Sequence, residues 1–203
     1  MLIGLTGNFG SGKSAVLGAF KELGATVISA DECVQQLLKT DEIIKTIALR
    51  LGDVLDNCGK LDKKKIANIV FNDTKSRKTL EAILHPPVMN EIRQIGKNNA
   101  ERIVVAEIPL LFEGGYTNSV DKIITVTCQR DIAVKRLLNK GFTAEEIDQR
   151  LNAQIPDIEK TKLSHFTIDN SFNFDNTFCQ AKFVIEKLKE MCYSIINLGD
   201  KTE

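Results

Sequence analysis

Tryptophan is absent from these 203 residues, histidine occurs only twice, and five cysteines stand far apart with no C-x-x-C pair. That scatter argues against a zinc site and against a disulfide framework, so reduced cytosolic thiols are expected. Neither sign of charge is in excess, because 27 Lys and Arg offset 27 Asp and Glu. No basic surface points to nucleic acid, and none is expected as a partner. No apolar run approaches the roughly 20 residues of a membrane-spanning helix, so no membrane partner is expected either. The chain opens directly on an apolar run and a glycine-rich loop, which leaves no room for a signal peptide. A cytoplasmic location is the expectation. Internal repeats and low-complexity segments are also missing. The length suits one α/β domain, with room for insertions and a core of its own.

What the sequence does have is "GNFGSGKS", Gly7 to Ser14. It fits G-x-x-x-x-G-K-[ST] at Gly7, Gly12, Lys13 and Ser14. The glycines let the backbone fold back and aim its N–H groups at phosphate oxygens. Lys13 adds a mobile positive charge, and the Ser14 hydroxyl can take a magnesium position. "LIGLT" before the loop is of strand type. Val16, Phe20 and Leu23 after it recur at helix spacing. Strand, loop and helix start together make an anion site. Residues 8–15 (Asn8, Phe9, Gly10, Ser11, Gly12, Lys13, Ser14, Ala15) are therefore the candidate ATP contacts, with Mg²⁺ at Ser14.

Further apolar runs, "ATVIS", "RIVVAEI", "KIITVTC" and "HFTID", alternate with helical patterns, which predicts a parallel sheet covered on both faces. Ligands gather at the carboxyl ends of such strands. Asp31, just past the second strand, and the segment 107–113, just past the third, are expected to face the same crevice as the loop. About seventy residues separate strands two and three, far beyond an ordinary crossover. Its helical patterns suggest an insertion over a second substrate, with one helix ending at Pro86-Pro87 and another starting there. "KKK" at 63–65 reads as a solvated helix face. A second charged stretch follows strand four, where Thr143 and Glu146 form a capping-box signature. It reads as a lid. Glu107 and Glu113 are possible crevice carboxylates, unless each merely pairs with a basic neighbour.

A GTPase switch would need N-K-x-D and a D-x-x-G after a strand. "NKGF" has Phe142 in place of the aspartate, and "DNCG" lies among helices. A non-catalytic ATP-binding module remains an alternative on the loop alone, as does a kinase of another small molecule, such as a nucleoside monophosphate. The loop followed by "VISADE", "GKLDKKKIANIVF", "LEAILHPPV", "IPLLFE", "RLNAQ" and "IDN" resembles the dephospho-CoA kinase family over nearly the whole chain. "ILHP" and "IPLLFE" are the most diagnostic pieces. The sequence departs from the family pattern at Ser29, at Ala15 and at Ser164-His165.

The resemblance implies an α/β P-loop kinase with a five-stranded parallel sheet flanked by helices, a helical substrate insertion and a helical lid. The core is expected at about 1–31, 101–135 and 163–203, the insertion at about 32–100 and the lid at about 136–162. It implies ATP and dephospho-CoA as partners, in a monomer or small homo-oligomer, and phosphorylation of the ribose 3′-hydroxyl with Mg²⁺. Lys13, Asp31 and Arg136 are then the catalytic candidates, Asp31 as the base. Arg136 and Arg150 resemble the family's lid arginines, unless they are solvated helix residues. Asn170 resembles the asparagine near adenine, unless it only forms a turn. Asp31, His85, Leu111 and Glu113 are the substrate candidates. The competing account of Asp31 is a helix cap, and of His85 a structural residue at a helix boundary.

Overall fold

A computed structural model describes residues 1–199, with side chains through residue 192. The apolar runs form β1 (Leu2–Gly7), β2 (Thr26–Ser29), β3 (Val104–Glu107), β4 (Lys122–Thr127) and β5 (Phe166–Asp169). They lie side by side in the order β2-β3-β1-β4-β5, as a parallel sheet. β1 is thus central, with Leu5 opposite Glu107 of β3 and Ile124 of β4. Every residue of β1 and β3 is buried, as expected of strands covered on both faces.

Two compact units divide the chain. One comprises Met1–Ile28 and the chain from Ile95 onward, the other Ser29–Gln94. The first holds the sheet, α1 (Lys13–Glu22), α6 (Arg130–Asn139), α7 (Ala144–Asn152), α8 (Asp157–Leu163) and α9 (Phe174–Gly199). Val16 and Phe20 of α1 are fully buried, with Leu23 packed beside them, so the spacing read from the sequence is the core-facing stripe. Ile3, Leu5, Ile124 and Ile168 from the sheet and Val184 and Leu188 of α9 complete that core. The expected capping box closes the start of α7, where Thr143 Oγ1 accepts from Glu146 N at 3.2 Å and Glu146 Oε2 from Thr143 N at 2.9 Å.

The second unit contains α2 (Ala30–Leu37), α3 (Asp41–Leu51), α4 (Lys63–Asn72) and all but the end of α5 (Thr74–Asn98). Ile47, Val54 and Leu84 form its core. Asp62 caps α4 by accepting from Lys64 N at 2.8 Å. Of the three lysines at 63–65, two are exposed as expected, whereas Lys65 pairs with Asp53 at 2.8 Å. The expected break at Pro86-Pro87 is not there: α5 runs through both prolines as one helix. They deny N–H donors to the carbonyls of Ala82 and Ile83, at about 3 kcal/mol or more for each interior proline. Leu84, Val88, Met89 and Ile92 are buried around them. At about 1.5–3 kcal/mol each, that burial offsets the loss.

His165 ties β5 to β4, its Nδ1 accepting from Ile123 N at 3.1 Å. Burial and then the Lys122 charge depress its pKa. The neutral ring is therefore the native form. A histidine depressed on folding contributes stability that is full above the unfolded value of about 6.5 and is lost as pH falls toward the folded one. The melting temperature is expected to drop between pH 7.5 and 5.5, and His165→Asn to remove most of that slope. A wild-type slope retained in the variant would assign the effect elsewhere.

Candidate active site at the phosphate loop

β1 ends at Gly7 and α1 begins at Lys13, so the loop hangs at the carboxyl end of the central strand. Gly7 and Gly12 have φ of 149° and 83°. A Cβ on Gly7 would collide with the Val126 carbonyl oxygen, and one on Gly12 with the Asn170 amide. Glycine is thus required both for conformation and for space. Lys13 Nζ donates to the carbonyls of Gly7 at 3.0 Å and Asn8 at 3.3 Å, which folds the ammonium over the loop.

Beside it, the Ser14 hydroxyl donates toward both oxygens of Glu107, at 3.5 and 3.4 Å. Glu107 is buried at the end of β3, one strand over from β1. A hydroxyl and a carboxylate in that arrangement are the oxygen donors a hard divalent cation takes, so the pair fits Mg²⁺. Among the described residues, no three His, Cys, Asp or Glu gather into a metal cluster.

Asn170 follows β5 and is buried. Its Nδ2 donates to Ser11 O and its Oδ1 accepts from Thr177 Oγ1, both at 2.8 Å. Its amide is therefore spent on bracing the loop backbone. Arg136, half-buried on α6, donates from Nη1 to Cys128 Sγ at 3.4 Å and would lie 3.5 Å from a Cβ on Gly12. Burial raises the Cys128 pKa and Arg136 only partly opposes it, so the thiol stays neutral. The guanidinium charge is consequently not cancelled by its sulfur partner.

Glu113 pairs with a basic neighbour. Its Oε1 accepts from Ile155 N at 3.1 Å and lies 2.8 Å from Nζ of Lys160, an ion pair formed off the ideal hydrogen-bond direction. Lys160 is wholly buried. Together they pin the link between α7 and α8. Leu111 is also fully buried, its Cδ1 2.5 Å from where a Gly4 Cβ would stand, which is a core position.

Arg150 is exposed on α7, with its guanidinium against the rings of Phe9 and Phe142. Gln154, in the link after α7, and Asp157, at the start of α8, line the site beside the loop, although the sequence did not single them out. Phe9 N donates to Gln154 Oε1 at 2.8 Å. Asp157 has its pKa raised by burial, opposed by Lys160 and Lys13. Both line a cavity of about 370 Å³ along with Asn8, Phe9 and Ser11. Asn8 Oδ1, Ser11 Oγ and Asp157 Oδ1 are buried there without hydrogen-bond partners. The signal for Gln154 was its place at the end of "RLNAQ", just past the C-cap of α7.

Asp31 and His85 belong to the second unit. Asp31 is exposed in the first turn of α2, and among the described residues no side chain hydrogen-bonds or pairs with it. Neither it nor the N-cap Ser29 makes a side-chain capping bond. His85 is half-buried inside α5 rather than at a helix boundary. No helix among the described residues is long and apolar enough to cross a membrane.

The family model of dephospho-CoA kinase matches residues 1–176. The chain is 37% identical to the dephospho-CoA kinase of Aquifex aeolicus over 192 residues, covering 92% of this chain and 96% of that one. It is also 37% identical to the enzyme of that name from Geobacillus kaustophilus, with the same coverage. Among solved structures, dephospho-CoA kinase from Campylobacter jejuni is similar with a TM-score of 0.69 at 28% identity, over 93% of this chain and 97% of that one. Shikimate kinase from Acinetobacter baumannii shares the fold, with a TM-score of 0.56 at 15% identity, over 100% of this chain and 95% of the other.

Proposed function

Because the chain belongs to the dephospho-CoA kinase family, we propose that it transfers the γ-phosphoryl group of ATP to the ribose 3′-hydroxyl of dephospho-CoA, giving coenzyme A and ADP. The observation that carries the chemistry is the built phosphate loop, with Lys13 folded over it and Ser14 shared with a buried carboxylate. Family membership supplies the acceptor.

Phosphoryl transfer asks a protein mainly to align its reactants and neutralise charge. The loop N–H groups and Lys13 hold the β- and γ-phosphates. Ser14, supported by Glu107, would hold Mg²⁺, which would neutralise phosphate charge. Asp31 accepts the 3′-hydroxyl proton as the oxygen attacks phosphorus. Arg136 and Arg150 place guanidinium N–H groups on the phosphate oxygens, where their fork geometry fits. Asn170 serves ATP through the loop it braces. Glu113, a substrate candidate, also holds the link between α7 and α8, and His85 orients the acceptor substrate.

The test is ADP release from ATP and Mg²⁺ with dephospho-CoA, adenosine, nucleoside monophosphates and shikimate as acceptors. Dephospho-CoA is expected to exceed every other acceptor and water by far. A nucleoside monophosphate used with comparable kcat/KM would overturn the acceptor. ATP binding without turnover on any acceptor would leave a binding module.

A further inference from the structure

The Arg150 guanidinium carbon lies 4.9 Å from the centre of the Phe9 ring and 4.8 Å from that of Phe142. The two rings meet edge to face, 5.1 Å apart and 80° inclined. Phe9 belongs to the phosphate loop, and Phe142 to the turn that enters α7. The one cation therefore packs against both rings where they meet. The backbone repeats the connection, since Phe9 N donates to Gln154 Oε1 at 2.8 Å.

A cation–π contact engages a guanidinium through its flat face, whereas its five N–H donors radiate in the plane. Among the described residues, no acceptor hydrogen-bonds Arg150 and no carboxylate pairs with it. The guanidinium carbon sits in the corner made by the two inclined rings, and its N–H donors are left for an anion. A long, exposed arginine would otherwise spread over many rotamers, and holding it in that corner reduces the ordering still needed when a phosphate arrives.

We propose that Phe9 and Phe142 form an aromatic seat that positions Arg150, so that the lid offers a preset guanidinium edge to the ATP phosphates. The Gln154–Phe9 hydrogen bond sets the register of lid on loop. Phe9 and Phe142 are positioning residues here, acting through Arg150. This rests on the reading of Arg150 as a phosphate-binding residue.

The test is a double-mutant cycle on Phe142 and Arg150, read as kcat/KM for ATP and as affinity for a non-hydrolysable ATP analogue. Phe142 is chosen because Phe9 is itself part of the loop. Phe142→Leu is expected to lower kcat/KM about fivefold. Phe142→Tyr, which keeps a ring, restores it. Arg150→Met is expected to lower kcat/KM tenfold or more, by about the loss of one charged contact. Adding Phe142→Leu to Arg150→Met then changes nothing further, because the effect runs through the arginine. A full fivefold loss in the Arg150→Met background, or no loss in Phe142→Leu beside a weakened Arg150→Met, overturns the seat. An Arg150→Met enzyme with unaltered kcat/KM and analogue affinity overturns instead the reading of Arg150. If Phe142→Leu melts below the assay temperature, Phe142→Met makes the same comparison.

Discussion

Asp31→Asn is expected to lower kcat by at least about a hundredfold, with melting temperature and ATP affinity near wild type. A ribose hydroxyl attacks poorly until a positioned group accepts its proton, and kinases commonly use an aspartate for it. The rival account made Asp31 a helix cap. Its side chain makes no capping bond at the start of α2, and neither does that of Ser29. What Asp31 gives the helix is a negative charge in the first turn, worth about 0.3–1 kcal/mol. Asparagine keeps the size and most of the polarity but cannot take a proton. Steady-state kinetics with saturating ATP and dephospho-CoA make the comparison. Near-normal turnover would falsify the assignment and send the proton by another route.

Arg136→Ala carries the second large effect, about a hundredfold in kcat. Its Nη1 stands beside Gly12, and among the described residues its one hydrogen-bonded side-chain partner is the neutral Cys128 thiol. A half-buried cation with so weak a partner costs desolvation without return in the protein alone. The developing charge of the transferring phosphoryl group would supply that return. The loss is therefore expected in kcat, with ATP affinity changed by less than about tenfold. Calorimetric ATP binding beside single-turnover rates separates the two. A loss in binding with the single-turnover rate unchanged would mean that Arg136 grips the ground state only.

The sheet was legible because buried parallel strands leave unbroken apolar runs, and each of the five runs became a strand. The capping box at Thr143 and Glu146 was legible for the opposite reason: it needs no partner outside its own four residues. Pro86-Pro87 misled because local proline chemistry lost to burial along both sides of α5. Lys160 was not legible, because lysine is rarely fully buried, yet this one is enclosed against Glu113. Within "IPLLFE", Leu111 lies in the core and Glu113 accepts from Ile155 N in the link between α7 and α8. The seat of Arg150 depends on two phenylalanines more than a hundred positions apart in the chain, a relation no local pattern carries.

The enclosed Lys160–Glu113 pair also limits how this chain can drift over generations. Removing one partner strands the other charge away from water, at about 3–5 kcal/mol, a large share of a typical domain's stability. Apolar replacement of both at once is often neutral or better. Single substitutions at either position are thus filtered out, and descent from this ancestor keeps both or loses both together. The anchorage of α8 is for that reason hard to revise by mutations that arrive one codon at a time.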